Sequence, residues 1–368
     1  MAIDGSANTY VGGYTSGAFP SQSSSGGGDA FLSKTSATGA EVWTRQFGSG
    51  GWDTAWGVAV DTSTNIYVVG ETSSSTTVGF SDVFIRKYDA SGNELWARQF
   101  GGSGADVAYG VAVDTVGGVY IAGTTAFLPG QVGLGGDDAF LRKYDASGNV
   151  VWTTEFGTSS EDFGYAVALD ASGNIYVGGA THGSLPGQTA SGCGINAFLR
   201  KYDPSANQLW THEFGTCNSV IGQGTELRSV SVDPAGFVYV AGRTDEALPG
   251  QTYLGRLDAF LRKYDASGTV VWTRQFGSDQ NDQAYAVASA PGGGVYVGGS
   301  TSGALPGQTL TNQAYLVKYD ANGVLQWTQQ FQGAGFTKGI AVDASDNPYP
   351  AGESTTLAFV RKYTSSGS

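Results

Sequence analysis

The chain repeats one pattern of aromatic and aliphatic residues seven times along its 368 residues. The clearest marker is the segment Asp138–Asp145, which recurs at intervals of roughly fifty residues. Its other copies are centred on Phe31, Phe84, Phe198, Phe260, Tyr315 and Phe359. A period of this length restricts the fold to repeat architectures, in which each unit packs against its neighbours in the chain.

Each repeat holds four short runs rich in Val, Ile, Tyr, Phe and Trp, separated by turn signals such as Asp145–Asn149. One run is marked by a tryptophan, and its six copies are centred on Trp43, Trp96, Trp152, Trp210, Trp272 and Trp327. Four strands at this period are typical of propeller blades, and helical periodicity is absent. We therefore predict an all-β fold, a single seven-bladed β-propeller of four-stranded antiparallel blades.

Two stretches carry a family resemblance, residues 164–179 (GYAVALDASGNIYVGG) and residues 139–157 (AFLRKYDASGNVVWTTEFG). They resemble the SBBP β-propeller repeats of bacterial secreted and surface proteins and, more distantly, NHL repeats. The resemblance covers nearly the whole chain. It implies an extracellular or cell-surface location in a bacterium, and it implies fold far more than activity, because one fold hosts many functions.

A further run of each repeat is marked by a tyrosine, such as Tyr120 in blade three, and is called the tyrosine strand. In NHL-like blades the run before the tyrosine strand is innermost and the tryptophan strand is outermost. The strands of a blade are therefore lettered A to D in chain order. The chain is then one propeller domain, 1–368. Its blades span about 1–48, 49–101, 102–157, 158–215, 216–277, 278–332 and 333–368. The last blade lacks a tryptophan strand, so we expect an unpaired edge there. Such an edge invites pairing with another chain, although truncation during cloning, or a natural chain that continues, would leave the same edge.

Composition narrows the partners. The formal net charge of −13 makes nucleic acid an improbable partner, because an acidic surface repels phosphates. No apolar run approaches the roughly 18 residues of a membrane span. The two cysteines, Cys193 and Cys217, fall in loops of one rim on either side of blade four, which predicts a disulfide and an oxidising compartment.

Strand order places the B–C and D–A loops on one rim of the propeller, called the top. Each of four D–A loops carries an aspartate followed three residues later by an aromatic residue, just before the innermost strand. These pairs are Asp53 and Trp56, Asp106 and Tyr109, Asp162 and Tyr165, and Asp282 and Tyr285. A second acidic set opens strand C at Asp29, Asp82, Asp138 and Asp258. The carboxylates either accept backbone N–H bonds in the loops, or bind Ca²⁺ or sugar hydroxyls beside the aromatic faces.

Two further features belong to the top rim. B–C loops share a Leu-Pro-Gly-Gln motif. The motif either packs the loop against its own blade, as a loop plug, or presents its glutamine side chains to a polar ligand such as a glycan. The glutamines are Gln131, Gln188, Gln251 and Gln308, with a weaker copy ending at Gln22. The D–A loop entering blade five departs from the pattern, because Arg228 replaces the aromatic residue. We predict that this irregular sector sets specificity.

Seven of the eight lysines share one repeat position on strand C. We expect them to make ion pairs between blades or to extend past the neighbouring tyrosines. A basic binding stripe does not suit so acidic a chain.

Catalytic signals are few. The two histidines, His182 and His212, leave little scope for a triad, and no nucleophile elbow, phosphate loop or zinc-protease motif is present. We predict no cofactor, with Ca²⁺ at the top-rim carboxylates as the open alternative. Three functions stay open: a binding module for a glycan or protein ligand, a structural unit of a surface array or filament, and a lyase or glycosidase.

Overall fold

A computed structural model describes the chain except residues 75–76, 190–193, 216–221, 310–312, 332, 334 and 355–356. It is a seven-bladed β-propeller without helices in the described residues. The chain forms two compact units, Met1–Val167 and Ala168–Ser368, and the boundary lies within strand β13. The prediction of seven blades is confirmed.

The first three blades belong to Met1–Val167. Blade one consists of β1 (Ala2–Ile3), β2 (Thr9–Thr15), β3 (Asp29–Thr35) and β4 (Glu41–Phe47). Blade two consists of β5 (Asp53–Val60), β6 (Ile66–Thr72), β7 (Asp82–Tyr88) and β8 (Glu94–Phe100). Blade three consists of β9 (Val107–Val113), β10 (Val119–Thr125), β11 (Asp138–Tyr144) and β12 (Val150–Phe156).

The remaining blades continue the same order. Blade four is β13 (Asp162–Leu169), β14 (Ile175–Thr181), β15 (Asn196–Tyr202) and β16 (Gln208–Phe214). Blade five is β17 (Thr225–Val232), β18 (Val238–Thr244), β19 (Asp258–Tyr264) and β20 (Val270–Phe276). Blade six is β21 (Asp282–Ser289), β22 (Val295–Thr301), β23 (Gln313–Tyr319) and β24 (Leu325–Phe331). Blade seven is β25 (Phe336–Val342), β26 (Pro348–Glu353) and β27 (Ala358–Val360).

Every blade is an antiparallel sheet in chain order, and the last blade has three strands, as the missing tryptophan strand predicts. Strands B and C are almost wholly buried in blades two to six, whereas strand D begins with two exposed residues in each of blades one to six. The A strands of neighbouring blades contact each other, as β5 and β9 do in Met1–Val167 and β17 and β21 do in Ala168–Ser368. This arrangement makes A the inner strand and D the outer one.

The C–D turns of blades two to six close their hairpins through an aspartate, and blades one and seven use Ser36 and Thr364 at that position. In blade two the Asp89 carboxylate accepts the backbone N–H of Ser91 and of Asn93, both at 2.9 Å, and Gly92 takes the positive φ (78°) that the turn requires. Hydrogen bonds from the Asn93 side chain and backbone hold the pKa of Asp89 below its usual value. The turn uses both carboxylate oxygens internally, which is the behaviour of an ordinary hairpin turn.

Neighbouring blades are joined by the outer strand of one and the C–D turn of the next. The Lys34 Nζ and the Trp43 Nε1 both donate to the Ala90 carbonyl, at 3.1 and 3.2 Å, and the Arg45 Nε donates to the Gly92 carbonyl at 2.7 Å. The same contacts recur from blade two to three and from blade five to six. The strand C lysines therefore bind mainly backbone carbonyls and tyrosine faces, and ion pairs at 4 Å or less join only some of them to carboxylates.

Candidate functional site

The loops that carry the predicted site residues lie side by side. Isolated bridges join a B–C loop to the following D–A loop between Gly28 and Trp52, between Ser81 and Ala105, and between Leu257 and Asn281. These bridges put both loop types at the same end of each blade, as the strand order predicts. The top rim is therefore a real surface of each blade.

The aspartates of the D–A loops are buried rather than displayed. Asp53, Asp106, Asp162 and Asp282 are at most 2% exposed. Each accepts a backbone N–H from its own loop, for example from Ser49 at 2.7 Å and from Ser278 at 2.7 Å. Desolvation raises the pKa of Asp106 and of Asp282 above the usual value of a carboxyl group. These contacts match the backbone-accepting interpretation of the sequence.

A glycine lies between each of these aspartates and an aspartate of the second acidic set, and both carboxylates are close to its Cβ position. Carboxylate oxygens of Asp29 and Asp53 face the Cβ position of Gly48, and the Asp258 and Asp282 carboxylates face Gly277 in the same way. A side chain at either glycine would collide with them. In the described part of the chain no three acidic, histidine or cysteine side chains come together as metal ligands. Ca²⁺ binding at the top rim stays a prediction.

The aromatic residue three positions later is the one that the fold displays. Strand A of blade two shifts register between Ala55 and Gly57, so Trp56 is the extra residue of a β-bulge and is 48% exposed. A bulge sets two residues against one on the partner strand and re-aims the extra side chain. The same shift falls at Tyr109, Arg228, Tyr285 and Lys338. These residues are called the bulge residues.

A glycine of strand B makes room for each bulge. Opposite Trp56, a Cβ atom on Gly70 would overlap the carbonyl oxygen of Thr54. Corresponding overlaps are found at Gly123, Gly242, Gly299 and Gly352. The glycine at the fifth position of strand B, such as Gly70 in β6, is therefore the sequence signal for the bulge on strand A.

Within Met1–Val167 the rings of the bulge residues Trp56 and Tyr109 continue into those of Tyr165 and Phe163, and these four residues are called the aromatic ladder. The ring centroids of Trp56 and Tyr109 are 5.9 Å apart, and those of Tyr109 and Tyr165 are 5.3 Å apart, with interplanar angles of 57° and 64°. The Phe163 ring stacks on Tyr165 at 5.6 Å. Phe163 is not among the predicted site residues, although it lies two residues before Tyr165 and therefore on the same side of the strand.

Within Ala168–Ser368 the bulge residues form a cationic cluster, defined as Arg228, Tyr285 and Lys338. Arg228 pairs with Glu226, which also accepts from Arg243 at 2.6 Å. The Lys338 ammonium lies over the rings of Tyr285 and Phe336, 4.3 and 4.8 Å from their centroids. Desolvation lowers the pKa of Lys338, and the nearby Arg228 charge lowers it further while Glu353 opposes the shift.

Lys338 was missed by sequence reasoning, and the signal was present. Seven lysines share the strand C position, and Lys338 is the eighth. It follows Phe336 and Thr337 where blade two has Thr54, Ala55 and Trp56, so alignment of the repeats places it at the bulge. The irregular sector predicted from Arg228 thus includes a second cation two repeats later.

The loop glutamines are half-buried and turn toward their own blade. The Gln188 and Gln251 carboxamide oxygens accept the backbone N–H of Glu213 and of Gln275, each at 3.0 Å, and Gln308 donates to the Thr328 carbonyl at 3.2 Å. The Gln131 carboxamide donates to the carbonyl of its neighbour Gly130 at 3.3 Å. The leucine of the motif is buried in all four loops. The contacts of Gln188, Gln251 and Gln308 are those of a loop plug, and a ligand role for the glutamines stays a prediction.

Two other predicted features give no chemistry here. Cys193 and Cys217 lie outside the described residues, so the predicted disulfide stays a prediction. His212 packs beside Trp210 and Tyr264, with centroids 4.8 and 6.0 Å away, at the repeat position that holds Arg45 in blade one. Desolvation lowers its pKa. Its surroundings are those of a packing residue.

No helix in the described part of the chain is long and apolar enough to cross a membrane.

Two known proteins are similar to part of this chain, and each alignment covers only a fraction of the relative. The regulatory protein FlaEY of Caulobacter vibrioides is 28% identical over 258 residues, which are 61% of this chain and 26% of that protein. A WD repeat-containing protein of Acanthamoeba polyphaga mimivirus is 24% identical over 174 residues, 39% of this chain and 12% of that protein. The chain thus spans about a quarter or less of either relative.

Solved structures agree on the fold. The WD40 repeats of RRP9 superpose with a TM-score of 0.56 over 91% of each chain at 11% sequence identity. The SBBP β-propeller repeat matches residues 42–75, 95–127, 151–186 and 209–248. These four segments are SBBP β-propeller repeats in a chain that folds into seven blades.

Proposed function

We propose that this chain is a non-catalytic interaction module that holds a polypeptide partner on its inner-strand bulge residues. The observation that carries the proposal is the aromatic ladder, in which neighbouring blades of Met1–Val167 present Trp56, Tyr109 and Tyr165 at one repeated position. Aromatic side chains are enriched at protein interfaces, because a ring contributes a large contact area with little loss of side-chain freedom.

The tilt of the rings favours a polypeptide over a sugar. Trp56 and Tyr109 meet at 57° and Tyr109 and Tyr165 at 64°, so along these three residues the surface alternates ring faces with ring edges, and only Phe163 lies parallel to its neighbour. A pyranose stacks best on a broad flat face, whereas peptide side chains of different shapes fit an alternating surface. A glycan ligand is the competing outcome of the test.

The partner and the location belong to the same proposal. A propeller of the SBBP repeat type supports a place outside the cell or on its surface, through the resemblance to repeats of secreted and surface proteins. A disulfide between Cys193 and Cys217 would agree with it. Intact mass before and after alkylation tests that part, since two alkylated thiols in the native secreted protein would contradict it.

The test selects ligands without assuming their sequence. A phage-displayed peptide library and a glycan panel are screened against the chain and against Tyr109→Ala, with Ca²⁺ and with chelator. We expect peptides that bind the chain and lose binding to the variant. The matched control is Tyr14→Ala, which removes an exposed aromatic residue of strand B outside the ladder. Binding to glycans alone would overturn the polypeptide partner.

A second candidate function rests on the edge of blade seven. Along that blade no further strand pairs with β27 among the described residues, and Leu357 and Val360 beside the edge are 73% and 39% exposed. Exposed edges pair with other strands. We propose that this edge accepts a strand of the outer-strand pattern, supplied by another chain, which would build an array or filament.

A synthetic peptide tests the edge directly. A peptide copying residues 268–278, which contain outer strand β20, should bind the chain, and a scrambled peptide should not. Val360→Lys adds a charge to the edge and should prevent that binding while leaving the ladder intact. Equal binding of both peptides would sink the edge-pairing proposal.

A further inference from the structure

Most lysines and arginines of the chain have a repeated packing role, and four of them do not. The seven lysines and five arginines of strand C and the arginines Arg45, Arg98 and Arg274 of strand D pack within or between blades, against carbonyls, threonine hydroxyls and aromatic faces. Four of the 19 cationic residues remain outside this scheme. These are Arg228, Arg243, Arg256 and Lys338, all within Ala168–Ser368.

Two of the four occupy displayed positions. Arg228 and Lys338 are the bulge residues of blades five and seven, and Tyr285 is the bulge residue of blade six between them in the chain. Lys338 is exposed, and no carboxylate of the described residues lies within 4.0 Å of its ammonium group. Aromatic faces hold it instead. Desolvation lowers the pKa of Lys338, while the Glu353 charge raises it and the Arg228 charge lowers it, so charges of both signs act on the ammonium group from beyond contact distance.

An exposed ammonium group that contacts aromatic rings and no carboxylate is a position that an incoming anion stabilises. One carboxylate in contact with Lys338 would form an ion pair, and in a partly desolvated site that pair is stronger than in open water. The surrounding chain carries a net charge of −13, which disfavours a polyanion such as nucleic acid but tolerates a single carboxylate.

We propose that Arg228, Tyr285 and Lys338 form an anion-recognition cluster that binds a carboxylate of an acidic peptide segment in the partner. This inference rests on the proposed polypeptide-binding function and adds the chemistry of the ligand. Glu226 orients Arg228, the rings of Tyr285 and Phe336 position Lys338, and the incoming carboxylate accepts from the ammonium group.

Methyl-lysine NMR reads the cluster directly. The eight lysines are reductively methylated with ¹³C-formaldehyde, and the Lys338 signal is assigned by its loss in Lys338→Tyr. The probes are an acetylated, amidated peptide of the sequence GSEEYEEGS and the same peptide with glutamine for glutamate. We expect the acidic peptide to shift the Lys338 signal and raise the pKa of that side chain, while the glutamine peptide leaves both unchanged.

The variants use residues that the repeat itself supplies. Lys338→Tyr puts the residue of blade six at the bulge of blade seven, so it should fold, and it should weaken binding of the acidic peptide about tenfold. Lys362→Gln removes a cation from strand C of the same blade and should leave affinity unchanged. Lys338→Arg keeps the charge and should retain binding.

The outcomes separate the two proposals. If ladder-dependent peptides bind equally well to the chain and to Lys338→Tyr, and the Lys338 signal does not move, only the anion-recognition cluster is refuted. If no peptide binds in any arm, the polypeptide-binding function itself is refuted. A third peptide, GSQQYQQGS with a free carboxyl terminus, separates the sources of the carboxylate, because its binding would assign the cluster to a chain end.

Discussion

One position of the repeat carries different chemistry in the two units of the chain. In Met1–Val167 the bulge residues are aromatic and their rings are tilted against each other by 57°, whereas in Ala168–Ser368 two of them are Arg228 and Lys338. The backbone is the same in both, with a register shift on strand A opposite a glycine of strand B. The comparison shows that the repeated core sets where a side chain is displayed and leaves its chemistry free to differ.

The largest effect should come from filling the space that both units reserve for the bulge. Gly242→Ala and Gly123→Ala each place a Cβ atom against a backbone carbonyl of strand A, so we expect the free energy of unfolding to fall by about 3 kcal/mol in either unit. Urea unfolding measures it. Gly17→Ala meets no atom within 4 Å and is the control. Unchanged stability of both variants would show that the bulge does not depend on the glycine.

A smaller effect is expected when a displayed aromatic residue is removed. Tyr109→Ala deletes two ring contacts of the ladder, and we expect a loss of about 1.5 kcal/mol in stability together with the loss of ligand binding. Thermal unfolding and the peptide screen measure the two properties separately. A variant that binds peptides normally would remove the ladder from the proposed interface.

Glu155 sharpens the comparison at a buried position. In blades one, two and five a glutamine amide donates to the aspartate that opens strand C, as Gln46 does to Asp29 at 2.7 Å. Blade three has Glu155 there, whose second oxygen finds no donor among the described residues. Desolvation and the Asp138 charge raise the pKa of Glu155. Blade four also has a glutamate, Glu213, but the aspartate is replaced by Asn196.

We expect Glu155→Gln to stabilise the chain by about 1 kcal/mol at pH 7 by supplying the missing donor. Because the folded-state pKa of Glu155 is raised, the unmodified chain should lose stability as pH rises from the ordinary pKa of a glutamate through the folded-state value. The variant should show a smaller loss. Urea midpoints between pH 4 and pH 8 measure this, with Glu213→Gln as the control that should gain no stability.

The smallest stability effect is expected at the cationic cluster. Lys338→Tyr should change the free energy of unfolding by no more than about 0.5 kcal/mol, because the side chain is exposed and the new residue is native to the repeat. The same variant should lose acidic-peptide binding. A large destabilisation would instead make Lys338 a structural residue of blade seven and would remove the contrast between the units.

Much of this fold could be predicted from the sequence, because each blade repeats the same local signals. The tryptophan markers predicted six outer strands, and the structure has three strands in blade seven, where the marker is missing. The Asp-x-x-Gly turns and the shared rim of the B–C and D–A loops followed from strand alternation. These features depend on residues close together in the chain.

The candidate site was less predictable, because it depends on which side chain a local distortion displays. Asp53 and Trp56 are three residues apart and looked equally available, yet the aspartate is 2% exposed and the tryptophan 48%. The bulge between them decides this, and its signal is a glycine on another strand. Lys338 required alignment of all seven repeats, and its proximity to Arg228 follows only from the packing of blades.

The joints between blades have a consequence for how such a protein can change over time. The outer strands of blades one, two, five and six donate to main-chain carbonyls of the next C–D turn, and every residue has such a carbonyl. The turn Thr364–Ser368 shares only one residue with Asp320–Val324, yet it receives Lys318 and Trp327 through Ser365 as Ala321 receives Lys263 and Trp272. Blades are therefore interchangeable parts, and a gene could gain, lose or reorder whole repeats without having to redesign the joints.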